Sequence, residues 1–190
     1  MNFRRVVYSA KGVSVIWYLL HCQEQDEWKT LYICRRNVPE TVLTDAFVFT
    51  YDRMRRFQGE WHLEKQLMFP ACIFLASNDE EKLTEELRKF EGTKELIKEC
   101  GAILPVKKSV EIFLRSLYGE VHHLSMSRGV IRDGITQVTE GPLRGMEERI
   151  CRIDRHKRLA RLEVPETAAL KNILAVSGTV PAGLEIVEKS

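Results

Sequence analysis

The chain has 190 residues, 44% of them hydrophobic and 29% charged, with 11 Gly and 6 Pro. At about 150 residues per domain it holds one or two domains, and it can build a core without disulfide or metal staples; collagen-like, coiled-coil and largely disordered chains are excluded. Lys and Arg number 29 against 27 Asp and Glu, a net charge of +2, so any case for nucleic-acid binding rests on where charges cluster.

Residues 1–14 are a short polar and basic lead-in. Val15 to Cys22 is rich in β-branched and aromatic residues and predicts a buried strand. Glu24 to Arg36 predicts a helix, with Trp28, Leu31, Tyr32 and Arg35 at helical spacing, acids at its front and Arg35 and Arg36 at its back. Pro39 stops it. Ala46–Tyr51 predicts a second strand, Gln58-Gly59 a turn, and Trp61–Leu67 the return strand of a hairpin. The apolar run Leu67–Leu75 is entered through Pro70, which suits a strand's start or edge. Asn78-Asp79 can cap a helix with Leu83, Leu87 and Phe90 inward. Ser109 can cap another, with Val110, Phe113, Leu114 and Leu117 inward. The order β-α-β-β-β-α-α is that of an α+β sandwich, helices packed on a mainly antiparallel sheet. A polar stretch follows Gly119, and from Gly129 short strands alternate with Gly, Pro and Asp, as in a small β-barrel. The expected organisation is therefore an extension at 1–14, an α/β domain at 15–118, a linker at 119–127 and a β-barrel domain at 128–190.

The five cysteines (Cys22, Cys34, Cys72, Cys100 and Cys151) are widely spaced and form no C-x-x-C, so neither a zinc knuckle nor a redox pair is supported, and a reducing cytoplasm is the simplest setting. The apolar runs are far shorter than the ~20 residues of a membrane helix. His122-His123 lacks neighbouring carboxylate or Cys ligands, so no metal is expected. No phosphate-binding, metalloprotease or hydrolase motif occurs, and neither an enzyme nor a cofactor is expected.

The most informative stretch is residues 133–164. Ile135 and Val138 flank a short strand. Gly141-Pro142-Leu143-Arg144-Gly145 is a turn that supplies an apolar plug, Leu143. Arg149–Ile153 and Arg158–Val164 are strands joined at Asp154-Arg155-His156-Lys157. This hairpin carries Arg149, Arg152, Arg155, Lys157, Arg158 and Arg161 against the single acid Asp154. Alternate strand residues share a face, so a basic face is predicted. Charge alone leaves two readings, a phosphate-binding surface or a solvated edge that resists aggregation. A second cluster, Arg53, Arg55 and Arg56 beside Tyr51 and Phe57, can reach nucleic acid or can be a solvated hairpin end.

The turn, the spacing and Asp154 together resemble the KOW motif, departing from it at Asp133-Gly134, an inverted opening, and at Glu148, where a Gly is common. Trp17-Tyr18-Leu19-Leu20-His21-Cys22, the acidic-to-basic helix and Leu67-Met68-Phe69-Pro70-Ala71-Cys72-Ile73-Phe74 resemble the amino-terminal domain of the NusG family. Within that family the Gly-Pro-Leu-x-Gly-Met-Glu turn, Ile153–Arg158 and Gly183–Lys189 resemble the specialised LoaP antiterminators, while Val176–Thr179 departs from them. The resemblance implies a NusG-like domain followed by a KOW barrel, in a monomeric cytoplasmic transcription antitermination factor. It implies RNA polymerase contact, at the clamp helices, through Trp17, His21, Phe69, Pro70, Cys72 and Phe74, although His21 and Cys72 stand where aromatic residues are frequent. By default Trp17 and its apolar neighbours are core. It implies nascent RNA hairpin contact through Arg149, Arg152, Arg155, His156, Lys157, Arg158 and Arg161. The rivals are a general elongation factor whose KOW domain recruits Rho or a ribosomal protein, a translation-side RNA binder, and an enzyme with an unrecognised site.

Overall fold

A computed structural model describes residues 15–90, 103–164 and 178–190. The lead-in at 1–14, Cys100 and the segment from Pro165 to Ser177 lie outside the described residues. The fold is mixed α/β.

The N-terminal half is built on a sheet of order β2-β5-β1-β6, with β1 at Ile16–His21, β2 at Leu43–Phe47, β5 at Cys72–Ser77 and β6 at Leu104–Pro105. All its pairs are antiparallel. Strand alternation sends Trp17, Leu19, Phe47 and Phe74 to one face and Tyr18, Leu20, Ile73 and Leu75 to the other. Both sets are buried, because helices cover both faces. Helices α1 (Glu27–Asn37) and α2 (Glu80–Arg88) bring Leu31, Cys34, Leu83 and Leu87 to the second face. Helix α3 (Lys108–Tyr118) brings Val110, Phe113, Leu114 and Leu117 to the first. The Asp79 carboxylate caps α2 by accepting the Lys82 backbone N–H at 3.0 Å, which holds its pKa down.

Three details differ from the sequence expectation. Helix α1 buries Glu27, Thr30, Leu31 and Cys34, while Trp28 and Tyr32 face outward. Glu27 can stay inside because its carboxylate accepts the Ala71 N–H at 2.7 Å. The predicted strand Ala46–Tyr51 breaks at Val48-Phe49, where the chain leaves the first sheet. There β3 (Thr50–Phe57) begins a second sheet, paired with β4 (Glu60–Leu67) and, in parallel, with β7 (His123–Leu124). Helix α3 starts at Lys108 without a side-chain cap, so Ser109 sits inside its first turn. The Gln58-Gly59 turn is as expected: both residues have positive φ, 52° and 87°, the geometry that matches a two-residue hairpin turn to the twist of its strands.

The C-terminal half is one five-stranded sheet of order β10-β11-β12-β8-β9. Its strands are β8 (Ser127–Arg132), β9 (Ile135–Glu140), β10 (Ile150–Asp154), β11 (Leu159–Glu163) and β12 (Thr179–Lys189). Strand β12 pairs antiparallel with β11 through Gly183 and then parallel with β8 from Leu184 onward. Among the described residues β9 and β10 do not pair with each other, so a sheet with two edges stands where a closed barrel was expected. Beside β9 the Glu147 carboxylate accepts the Val138 N–H at 3.1 Å. Leu143 is the expected plug, fully buried, and its N–H donates to Ser127 Oγ at 3.1 Å.

Residues 119–127, the expected linker, are structured. They form a short 3-10 turn at Gly119–Val121, then β7, then the start of β8 at a buried Ser127. The halves share a core: Trp17, Phe49, Phe113 and Leu117 belong to the same apolar cluster as Val138, Leu143, Ala160, Leu162 and Leu184.

Candidate nucleic-acid interface

Asp154 builds the tip of the β10–β11 hairpin. Its carboxylate accepts the Lys157 backbone N–H at 3.0 Å and lies 3.6 Å from Lys157 Nζ. That backbone bond, above all, holds the Asp154 carboxyl below its usual range. A bulge at Cys151 shifts the register, so that Ile150 faces Leu162 while Arg152 faces Arg161. The bulge keeps Ile150 and Ile153 packed against the core on one side and leaves arginines on the other.

The six basic residues do not share one environment. Arg149, Arg152, Arg155 and Lys157 are exposed, as is His156, while Arg158 and Arg161 are half-buried. Three of the six reach the N-terminal half. Arg149 lies over the Phe113 ring at 5.4 Å. Arg158 lies over the Trp61 ring at 4.3 Å and pairs with Glu185 at 2.8 Å. Arg161 approaches Tyr51, whose phenol is pushed up by burial against the opposing pull of Arg53 and Arg161. Arg152, Arg155, His156 and Lys157 form the outward end. The expected basic face is thus divided between holding the halves together and facing solvent.

On the N-terminal hairpin, Arg55 pairs with Glu64 at 3.7 Å, and Arg56 Nε donates to the Gly59 carbonyl at 3.3 Å. Arg53 precedes both on β3 and is half-buried.

The residues assigned to polymerase contact also divide. Trp17, Phe69, Cys72 and Phe74 are buried in the shared core, and His21 and Pro70 are exposed. Trp17 packs edge-on against Phe47 and Phe74, with the Arg115 guanidinium 4.2 Å from its centroid. Cys72 Sγ lies 3.5 Å from His21 Nδ1, and burial pushes the thiol up to about 12.

The sequence weighed the junction residues His122 and His123 only as metal ligands, and their structural roles lie elsewhere. His122, at φ 52°, stacks on Phe47 with centroids 3.7 Å apart, and burial lowers its pKa to about 4. His123 bridges Thr50 Oγ1 at 2.8 Å and Asp52 at 3.1 Å. Among the described residues, no group of three or more His, Cys, Asp or Glu side chains is gathered to hold a metal, and no helix is long and apolar enough to cross a membrane.

The chain is similar to a solved structure titled "Domain interaction in Thermotoga maritima NusG", with 14% sequence identity and a TM-score of 0.47, over 91% of this chain and 94% of that one. No family model and no curated protein matches the chain.

Proposed function

We propose that this protein is a transcription antitermination factor that holds a structured nascent RNA through its C-terminal half and RNA polymerase through its N-terminal half. The observation that carries the reading is the outward end of the β10–β11 hairpin. Arg152, Arg155, His156 and Lys157 are exposed there, and the one acid among them, Asp154, is committed to its own turn. Arginine forks and a lysine point charge are the side chains that phosphates select. The polymerase half of the reading is supported by the resemblance of Trp17–Cys22 and Leu67–Phe74 to the NusG family. With Trp17, Phe69, Cys72 and Phe74 buried, His21 and Pro70 are the part of that surface a partner meets first. The mechanism is linked binding without a chemical step: one contact raises the effective concentration of the other, so the factor loads where its RNA is present.

The test is a gel shift of the full chain with leader RNA from adjacent operons against unrelated hairpins, paired with a termination assay on templates with and without the retained element. One leader RNA held selectively, with readthrough confined to its template, is the expected result. Equal readthrough on both templates overturns targeting and favours a general elongation factor; no RNA retention overturns the RNA assignment.

A further inference from the structure

The two basic hairpins meet. Gly183 of β12 lies so close to β3 that a Cβ there would stand 2.5 Å from the Asp52 carbonyl oxygen and against Met126 Sδ. Strand β12 carries β11 beside it, with Pro181 opposite Arg161. Arg161 in turn faces Arg152 across the β10–β11 pair. On β3, Arg53 follows Tyr51 by two residues and so shares its side of the strand. The charges of Arg53 and Arg161 both act on the Tyr51 phenol, opposing the rise that burial gives its pKa.

Like charges placed opposite one another across a strand pair are destabilising. Among the described residues, no carboxylate lies within ion-pair distance of Arg53, Arg152 or Arg161. The nearby acids have other partners: Glu64, which stands opposite Arg53 across the β3–β4 pair, lies in ion-pair distance of Arg55, Asp52 holds His123 and the Met126 N–H, Asp154 holds its turn, and Glu185 holds Arg158 and Arg128. Three guanidinium groups, contributed by both halves, have no carboxylate partner among the described residues.

We infer that Arg53 of β3, with Arg152 and Arg161 of the β10–β11 hairpin, forms one composite site for the RNA phosphate backbone that spans both halves. This rests on the proposed RNA binding and extends it to a residue of the N-terminal half. The packed arrangement of the halves, with Gly183 against Asp52, is then the arrangement that binds RNA.

The experiment titrates the full chain with a fluorescein-labelled, mixed-sequence RNA hairpin over a salt series. The variants are Arg53→Gln, Arg152→Gln, Arg53→Lys and, as a distant exposed control on α2, Arg88→Gln. A phosphate contact removed lowers the slope of log K against log salt by about one. Arg53→Gln and Arg152→Gln should each show that drop, Arg53→Lys should restore the parent slope, and Arg88→Gln should leave it unchanged. Arg152 is exposed, so its variant reports on the site even if Arg53→Gln misfolds. If Arg152→Gln lowers the slope while Arg53→Gln behaves as Arg88→Gln does, the composite site is overturned and the C-terminal RNA assignment stands. If Arg53→Lys fails to restore the slope, Arg53 acts structurally and the composite site is again overturned. A parent chain that binds the hairpin without salt dependence, or not at all, overturns both.

Discussion

The two basic hairpins look alike in sequence and differ in construction. The first, β3–β4, pairs eight residues in unbroken register from Thr50-Leu67 to Phe57-Glu60. Much of it is solvated, with Phe57 and Leu63 among the exposed apolar residues. The second, β10–β11, is shorter and bulged, and it turns one side onto the core through Ala160 and Leu162. A free ribbon depends on its turn and cross-strand pairs, whereas a hairpin within a sheet depends on burial. The placement of the charges follows: the first hairpin matches Arg55 with Glu64, while the second leaves Arg152 and Arg161 facing each other without an acid. A charge-rich hairpin is therefore not one kind of surface. What its uncharged positions touch decides which of its charges are available.

The largest test of this contrast is a pair of leucine truncations. Leu162→Ala, at a fully buried position, should cost about 2–5 kcal/mol in urea unfolding. Leu63→Ala, on the exposed ribbon, should stay within about 0.5 kcal/mol. Equal costs would erase the distinction between the two hairpins.

The base of the first hairpin depends on pH. Thr50 N–H donates to the His122 carbonyl at 3.0 Å, and the His122 ring lies against Phe47. Burial dominates its lowered pKa; Asp45 opposes the shift, and Arg115 and Arg35 reinforce it. The folded pKa of about 4 lies below the 6.5 of a free imidazole, so between these values the unfolded chain binds the extra proton. Stability is full well above pH 6.5 and falls as pH drops toward 4, by about 1–3 kcal/mol once solvent screening of the half-buried ring is allowed for. Thermal melts from pH 7 to 4 should show this fall, and His122→Asn, which tolerates the left-handed backbone, should flatten it.

Two glycines separate strain from contact. Gly183→Ala should cost about 1–3 kcal/mol by overpacking, because its new methyl would meet Asp52 and Met126. Gly59→Ala meets nothing within 4 Å and bears only the strain of φ 87°, about 1–2 kcal/mol. Adding Asp52→Ala or Met126→Ala should relieve the first cost only where Met126 is the obstacle, since the Asp52 contact is backbone. Smallest is the stack between the hairpins: a double-mutant cycle of Trp61→Ala with Arg158→Gln should give a coupling of about 0.5–1 kcal/mol.

Much of the N-terminal half was legible in the sequence. The run from Val15 placed β1, Gln58-Gly59 placed a turn that needs positive φ, and Asp79 placed a cap confirmed by its bond to Lys82 N. Helix α1 was legible in part: Leu31 of the stripe Trp28, Leu31, Tyr32 and Arg35 faces the sheet, but Trp28 and Tyr32 face outward and Cys34 takes their place inside. A buried Glu27 is unreadable without Ala71, 44 residues away, whose N–H it accepts. The division of the basic hairpin was hidden for the same reason. Arg149, Arg158 and Arg161 look no different from Arg152 and Arg155 until Phe113, Trp61 and Tyr51 are brought beside them. The two-residue strands β6 and β7 leave no periodicity to read.

Strand β12 has a consequence in time. It follows every strand it joins, pairing with β11 along its first residues and with β8 along its later ones. During synthesis the pairs β8–β9 and β10–β11 can form locally as they appear, but nothing unites them until β12 arrives. The link to β8 spans more than fifty residues of sequence, the kind of distant pairing that slows folding. Until then Val138, Ala160 and Leu162 lack the cover of Val180, Ala182 and Leu184. The C-terminal sheet is therefore completed by its last-made strand, after strands β1, β2, β5 and β6 of the N-terminal sheet have all been made.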